Sequence, residues 1–187
     1  MSKNFFVDTE TTGLSDWYNG IWQIAGIIEV NDKIVERFDY KMNIHSTKRL
    51  EKQVTKLFGV TEEGLAKLPD PMDAYNQLCT VMGKYVNKFD KADKFYFIGY
   101  NSPFDNGFMR NWFKCNGDKY FGSWFHNPDL CVMRMAKEKC RKMKVEPPNF
   151  KLATVAEFFK VNTKEEKYHD AMFDIEITYD LFKEIQK

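Results

Sequence analysis

Two acidic residues near the N-terminus have a spacing that suits a metal site. Asp8 and Glu10 stand two residues apart, directly after the apolar segment Phe5–Val7. Because successive side chains of a strand point to opposite faces, residues two apart share a face. Two acids on one face repel each other unless a cation lies between them. The pair therefore indicates a divalent-cation site, with a solvated strand end as the alternative.

A third acid, Asp105, stands where an aromatic segment meets a predicted helix. The segment Phe95–Tyr100 predicts a strand, and Ser102 followed by proline predicts a helix with Ser102 as its N-cap. A carboxylate at that end of a helix stays ionised and can point toward a crevice. The spacing Ser-x-x-Asp is also that of an ordinary capping box. The local sequence alone favours the capping-box interpretation of Asp105.

The fourth acid, Asp174, lies on the inward face of the last predicted helix. Thr178, Leu181 and Ile185 follow it at spacings of four, three and four residues, which places all of them on one helical stripe. A lone carboxylate on such a stripe costs several kcal/mol unless it is paired or bound to a metal. A metal ligand is therefore the better interpretation of Asp174.

His169 precedes Asp174 by five residues, so the two cannot share one helical face. We expect His169 in the loop just before the helix, with Asp170 as the N-cap. An imidazole at that position could act as a general base. The alternative is an exposed histidine in the charged segment 164–170.

The elements that must position these residues begin with three strands. Phe5–Val7 is short and apolar, whereas Ile21–Val30 and Ile34–Met42 are longer. The polar residues 31–33 between the two longer segments predict the tight turn of a hairpin.

Strands and helices alternate in the rest of the chain. Further strands are predicted at 95–100 and 123–126, and helices at 47–58, 71–88, 102–114, 129–142, 152–159 and 170–185. This order of elements predicts an α/β fold with a mixed sheet. Because no internal repeat or Pro/Gly/Ser-rich linker interrupts residues 1–187, we expect a single domain.

The composition is that of a globular protein rather than that of a membrane protein or a protein built around structural zinc sites. Hydrophobic residues make up 43% and charged residues 29% of the chain. The four cysteines show no C-x-x-C pairing, which argues against a structural zinc site. The N-terminus lacks the apolar stretch of a signal peptide, and no apolar run approaches membrane-spanning length. We therefore expect a cytoplasmic protein with reduced thiols and no membrane partner.

The net charge of +1 conceals one basic segment. Arg134–Lys144 carries six basic residues against Glu138, so the remainder of the chain is slightly acidic. Such a segment suits contact with the phosphates of a nucleic acid. A solvated helix face explains it equally well.

Three motifs in this order resemble those of the DEDDh (DnaQ-like) exonucleases. That family includes the epsilon subunit of bacterial DNA polymerase III, ribonuclease T and oligoribonuclease. The motifs are Phe6–Leu14 (FVDTETTGL), Tyr100–Asp105 (YNSPFD) and His169–Asp174 (HDAMFD). The resemblance extends over nearly the whole chain. It implies a ribonuclease-H-like fold, with a five-stranded mixed sheet flanked by helices.

The resemblance also implies a role for each motif residue. Asp8, Glu10 and Asp174 would bind one ion, with Asp8 bridging to a second, and Asp105 would act largely through water. His169 would be the general base that deprotonates the attacking water. Hard oxygen ligands favour two Mg²⁺ or Mn²⁺ ions over zinc. The implied substrate contacts are Thr9, Thr11, Thr12, Leu14, Asn101 and Phe104.

The implied activity is 3′→5′ exonuclease cleavage, with release of nucleoside monophosphates from a single-stranded nucleic acid that has a free 3′ end. DNA is slightly favoured. Nothing in the motifs detects the 2′-hydroxyl, so an exoribonuclease that trims RNA ends is the alternative. Another alternative is a catalytically silent nucleic-acid-binding module, which would have no need of His169. Because the last predicted helix ends near Lys187, we expect no tail that tethers a polymerase.

Overall fold

The computed structural model describes residues 2–161 and 170–187. Within them, five strands form one sheet. The strands are β1 (Lys3–Thr11), β2 (Ile21–Val30), β3 (Lys33–Lys41), β4 (Tyr96–Gly99) and β5 (Leu130–Cys131). Their order across the sheet is β3-β2-β1-β4-β5, with β1–β2 and β2–β3 antiparallel and β1–β4 and β4–β5 parallel. The predicted α/β fold with a five-stranded mixed sheet is confirmed.

The hairpin between β2 and β3 has the turn that the sequence predicts. Asn31 and Asp32 both have positive φ angles, 50° and 60°. A two-residue turn with two such angles matches the twist of the strands it joins, and short polar side chains tolerate this conformation. The turn sets the register of β3 beside β2, with Val30 opposite Lys33.

Seven helices cover the two faces of the sheet in the described part of the chain. They are α1 (Lys52–Phe58), α2 (Glu62–Ala66), α3 (Pro71–Gly83), α4 (Ser102–Cys115), α5 (Val132–Met143), α6 (Leu152–Phe158) and α7 (Ala171–Ile185). None of the helices in residues 2–161 and 170–187 has the length and apolar character needed to cross a membrane.

Alternate residues of β1 face different helices. Phe5 and Val7 belong to the apolar cluster that includes α3 and α4, whereas Phe6 belongs to the cluster that includes α5, α6 and α7. This is the period-two alternation of a strand that is buried on both sides. Continued along β1, it directs Asp8 and Glu10 toward α7 and Thr9 toward α4.

A buried ion pair fixes α7 on the sheet. Glu29 is fully buried on β2 and lies 2.6 Å from Nζ of Lys183. The Tyr179 hydroxyl and the Asn4 amide each donate a hydrogen bond to the same carboxylate at 2.8 Å. A buried charge is tolerated only with such partners. These contacts hold α7, the helix that carries Asp174, against β1 and β2.

The predicted details of α7 are confirmed. Thr178, Leu181 and Ile185 are buried, so the inward stripe of the helix is the one expected. Asp170 is the N-cap, and its carboxylate accepts hydrogen bonds from the backbone N–H groups of Met172 and Phe173.

The start of α4 differs from the prediction. Asn101, not Ser102, is the N-cap, and Ser102 is the first helical residue. The Ser102 hydroxyl donates a hydrogen bond to Asp129 across the sheet edge instead of capping its own helix. The capping-box interpretation of Asp105 is therefore wrong.

The predicted strand at 123–126 is also wrong. A 3-10 turn occupies Phe121–Ser123, and only an isolated bridge joins Phe125 to Phe95. The fifth strand is β5, which lies inside the predicted helix at 129–142. The helix predicted at 47–58 begins only at Lys52, and the one predicted at 71–88 ends at Gly83.

Candidate active site

Three carboxylates come together at one end of the sheet. Asp8 and Glu10 lie on the last part of β1, and Asp174 lies in the first turn of α7. One oxygen atom of each carboxylate lies within 4.8 Å of the other two, and all three side chains are partly buried. The strand supplies two acids on one face, and the helix that packs on that face supplies the third.

The geometry of this cluster suits a hard divalent cation. Two oxygens bound to one Mg²⁺ ion lie at most about 4.2 Å apart, because each bond is about 2.1 Å long. The three carboxylate oxygens lie within 4.8 Å of one another, so modest side-chain movements would bring them onto one ion. Asp8, Glu10 and Asp174 are the residues that could hold such an ion.

Two carboxyl groups of the cluster, those of Asp8 and Glu10, have raised pKa values. Burial raises the pKa of Asp8 well above its usual range, and the charges of Asp105, Asp174, Glu10 and Asp170 raise it further. Burial, followed by the charges of the neighbouring acids, raises the pKa of Glu10 to about 7. The charged neighbours that shift these two groups are all carboxylates, which is the situation that a bound cation relieves.

The repulsion among these carboxylates predicts that divalent cations stabilise the folded protein by an amount that depends on pH. A folded-state pKa of about 7 for Glu10 lies above the ordinary carboxylate value, so between about pH 4 and pH 7 the folded state binds more protons than the unfolded state. The free energy of unfolding of the metal-free protein should therefore fall as pH rises through that range. A bound cation replaces those protons, so Mg²⁺ or Mn²⁺ should raise the melting temperature more at pH 8 than at pH 5.5.

Thermal unfolding in EDTA and in excess cation checks this expectation. At a cation concentration 100-fold above Kd, binding should raise the free energy of unfolding by about 2.7 kcal/mol. Asp8→Asn should raise the metal-free melting temperature at pH 8 and remove most of the cation response. Asp73→Asn, at an exposed acid on α3, should behave like the unmodified protein. A cation effect that does not change with pH would contradict the account.

Asp105 approaches the cluster from the other face of β1. It lies in the first turn of α4, is 4% exposed, and its Oδ1 accepts two hydrogen bonds from Thr9. The backbone N–H of Thr9 donates at 3.0 Å and its hydroxyl at 2.8 Å. Burial raises the pKa of Asp105 to about 7, against these hydrogen bonds, which lower it.

A groove of roughly 600 Å³ lies beside the carboxylates. One wall is the end of β1 with the loop that follows it, and the other wall is α1 together with the start of α4. Residues on its walls include Thr9, Glu10, Thr11, Leu14, Val54, Leu57, Phe58 and Phe104. Leu14, Leu57 and Phe58 are 88%, 61% and 44% exposed, so the groove offers apolar contact to a bound molecule.

The α1 wall was not among the sequence-predicted contacts. Val54, Leu57 and Phe58 have the spacing of one helical face, and Gly59 ends the helix in the left-handed conformation with φ 69°. That local pattern indicates an amphipathic helix, but nothing in it indicates that the helix faces a site rather than the core.

Asn19 organises the loop between β1 and β2 and was also missed. It is 1% exposed, accepts a hydrogen bond from the backbone N–H of Ser15, and donates to the carbonyls of Thr12 and Arg49. A Cβ atom on Gly13 would lie 2.5 Å from the Asn19 side chain, so only glycine fits there. Together these contacts hold the loop that carries Leu14.

Some of the other predicted substrate residues line the groove, whereas others do not. Thr11 and Leu14 line the groove, as does Phe104. Thr12 is fully buried, and its hydroxyl donates to the carbonyl of Arg49 and accepts from the backbone N–H of Gly20, so its side chain does not line the groove.

Asn101 does not line the groove and is exposed at the start of α4. The predicted general base, His169, lies outside the described residues.

The basic segment Arg134–Lys144 lies largely on α5 and uses part of its charge internally. Arg141 and Lys142 pair with Glu138 at 2.7 and 3.7 Å. Lys139 donates to the carbonyl of Ile185. Three of the six basic residues of the segment thus have polar partners within the protein.

A comparison with protein-family models identifies the family. The model described as Exonuclease (RNase_T) matches residues 5–182, which include Asp8, Glu10, Asp105 and Asp174. The chain belongs to this exonuclease family. The family membership expected from the three sequence motifs is thereby confirmed.

Curated relatives of this exonuclease-family chain include DNA polymerases of the PolC type. The chain is 26% identical over 171 residues to DNA polymerase III PolC-type of Bacillus cereus, covering 91% of this chain and 10% of the relative. It is 27% identical over 182 residues to that of Oceanobacillus iheyensis, covering 96% of this chain and 11% of the relative. The chain therefore spans about a tenth of the length of these relatives.

Solved structures with the same fold include those of exonuclease I. One exonuclease I structure superposes with a TM-score of 0.77 at 20% identity, over all of this chain and 41% of the other. The Escherichia coli enzyme in complex with a dT13 oligonucleotide gives a TM-score of 0.75 at 20% identity, over all of this chain and 42% of the other. Exonuclease I from Methylocaldum szegediense gives 0.74 at 16% identity, over 98% and 41% of the two chains. The ribonuclease-H-like exonuclease fold is confirmed.

Proposed function

We propose that this chain is a metal-dependent 3′→5′ exonuclease that releases nucleoside monophosphates from single-stranded DNA, and that residues 1–187 form one exonuclease domain. The observation that carries the proposal is the cluster of Asp8, Glu10 and Asp174 within 4.8 Å, beside an open groove. Gathering three partly buried acids is unfavourable without a cation, and a module that only binds nucleic acid has no need of them.

The proposed cofactors are two Mg²⁺ or Mn²⁺ ions, since the available ligands are carboxylate oxygens. Asp8, Glu10 and Asp174 would hold one ion, and Asp8 with Asp105 would lie toward the second. When bound, the ions supply Lewis-acid chemistry, which acidifies the attacking water and neutralises charge on the phosphate and the leaving 3′-oxygen.

The residues of the chain perform the remaining steps. Leu14 and Phe104 would contact the terminal nucleotide from the two walls of the groove, and Thr11 would line the groove between them. His169 would take the proton from the attacking water as a general base. Contacts on both sides of the terminal nucleotide would hold its phosphodiester bond in position beside the carboxylates.

A single strand fits this groove better than a duplex. The exposed apolar side chains of Leu14, Leu57 and Phe58 suit the open faces of unstacked bases, which a duplex keeps stacked inside. The choice of DNA is supported by the relatives, because the similar structure of exonuclease I holds a dT13 oligonucleotide and the curated relatives are DNA polymerases. The alternative remains an exoribonuclease with the same chemistry.

Digestion of matched DNA and RNA oligonucleotides, single- and double-stranded, tests the proposed substrate. With Mn²⁺ we expect single-stranded DNA to be shortened fastest, because its bases enter the groove without unpairing. Faster loss of RNA would establish the exoribonuclease alternative. Binding of every strand without shortening of any would show a silent binding module.

A further inference from the structure

The two hydrogen bonds from Thr9 to Asp105 join the two faces of β1. Asp8 and Glu10 are directed toward α7, whereas Thr9 between them is directed toward α4. Asp105 comes from α4, so it lies on the opposite side of the strand from Asp174. The contact with Thr9 connects Asp105 directly to the strand that carries the other two acids.

The Thr9 hydroxyl is committed to this contact. A hydroxyl has one proton, and that proton is donated to Oδ1 of Asp105 at 2.8 Å. Thr9 is 7% exposed and Asp105 is 4% exposed, so water competes little for either group. Little of the Thr9 side chain is left for contact with a bound nucleotide.

The double contact is made to one oxygen of the Asp105 carboxylate. Both donors of Thr9 bond to Oδ1. Oδ2 lies on the side of Gly99, where an added Cβ atom would be only 3.4 Å from it. The backbone N–H of Asp105 also donates to this carboxylate, so Thr9 supplies most of the hydrogen bonds that orient it.

We propose that Thr9 is a positioning residue that orients Asp105 toward the metal cluster, rather than a substrate contact. The proposal rests on the function proposed above. Partners that orient a metal-site carboxylate in this way typically contribute 10- to 100-fold to metal affinity or activity.

Mn²⁺ binding to the purified chain, measured by calorimetry without nucleic acid, tests the proposal. Thr9→Val removes the hydroxyl while keeping the β-branched shape, and should weaken Mn²⁺ affinity about tenfold. The lower end of the range is expected because the backbone N–H still holds Oδ1. Thr9→Ser keeps the hydroxyl and should bind Mn²⁺ like the unmodified protein.

Two further measurements separate positioning from other roles. In an Asp105→Asn background, Thr9→Val should cause no additional loss of Mn²⁺ affinity, because the two residues act as a unit. Affinity for a labelled dT oligonucleotide in EDTA should be unchanged by Thr9→Val. Thr9→Ala provides a second variant without the hydroxyl if the valine variant does not fold.

The opposite pattern would overturn the proposal. If hydroxyl-free variants keep full Mn²⁺ affinity, or lose only oligonucleotide affinity, Thr9 does not orient Asp105 for metal binding. Because metal binding is measured without cleavage, this outcome is distinct from failure of the proposed function, which the unmodified protein tests by strand digestion.

Discussion

Replacing Asp8 with asparagine should reduce strand shortening by at least about 10³-fold. Burial and the charges of its acidic neighbours raise the pKa of Asp8 well above its usual range. Asparagine keeps the size of the side chain but removes the charge that is proposed to hold the cations. Loss of several kcal/mol of transition-state stabilisation corresponds to a rate loss of this order.

The folded state should survive this substitution. Removing one of several mutually repelling acids should leave the metal-free protein at least as stable at pH 8, as thermal unfolding can show. Asp73→Asn is the matched control, because Asp73 is an exposed acid on α3. Full activity of the Asp8→Asn protein would remove Asp8 from the metal site.

Replacing His169 with alanine should lower turnover by about 10²- to 10⁴-fold, the contribution typical of a general base. Mn²⁺ affinity should be retained, because His169 is proposed to move a proton and not to bind the metal. Single-turnover digestion with a saturating amount of enzyme measures the effect on the chemical step.

A second histidine provides the control for this prediction. His126 stacks on Tyr96 with ring centroids 4.6 Å apart, and Tyr96 pairs with Asn4 near the opposite end of β1 from Asp8. His126→Ala should leave turnover unchanged. Equal effects of the two substitutions, or a His169→Ala protein with lost Mn²⁺ affinity, would contradict the role of general base.

The sequence predicts those parts of the fold that local pattern determines. The stripe of Thr178, Leu181 and Ile185 on α7 and the Asn31-Asp32 turn depend on helical spacing and backbone conformation, and both are found as predicted. Because Asp8 and Glu10 share a strand, their common face is also a local property.

The remaining parts of the fold depend on contacts between residues that lie far apart in the sequence. β5 has only two residues and exists because Leu130 and Cys131 pair with Ile98 and Gly99. No pattern within so short a segment indicates a strand.

The contact between Thr9 and Asp105 spans 96 residues, so no local spacing predicts it. Local sequence pointed instead to a capping box at Ser102, whose hydroxyl bonds to Asp129 in the folded protein. The α1 wall of the groove is a similar case, because its position beside β1 is set by the packing of the whole chain.

Removal of nucleotides from a 3′ end by a metal-dependent carboxylate site can be tested directly. One single-stranded DNA labelled at its 5′ end is digested with Mn²⁺, with EDTA, and with a phosphorothioate at the last 3′ linkage. We predict a ladder that shortens one nucleotide at a time from the 3′ end, no products in EDTA, and slow digestion of the phosphorothioate strand. Immediate release of the 5′ label, internal cuts, or equal rates in EDTA would contradict the account.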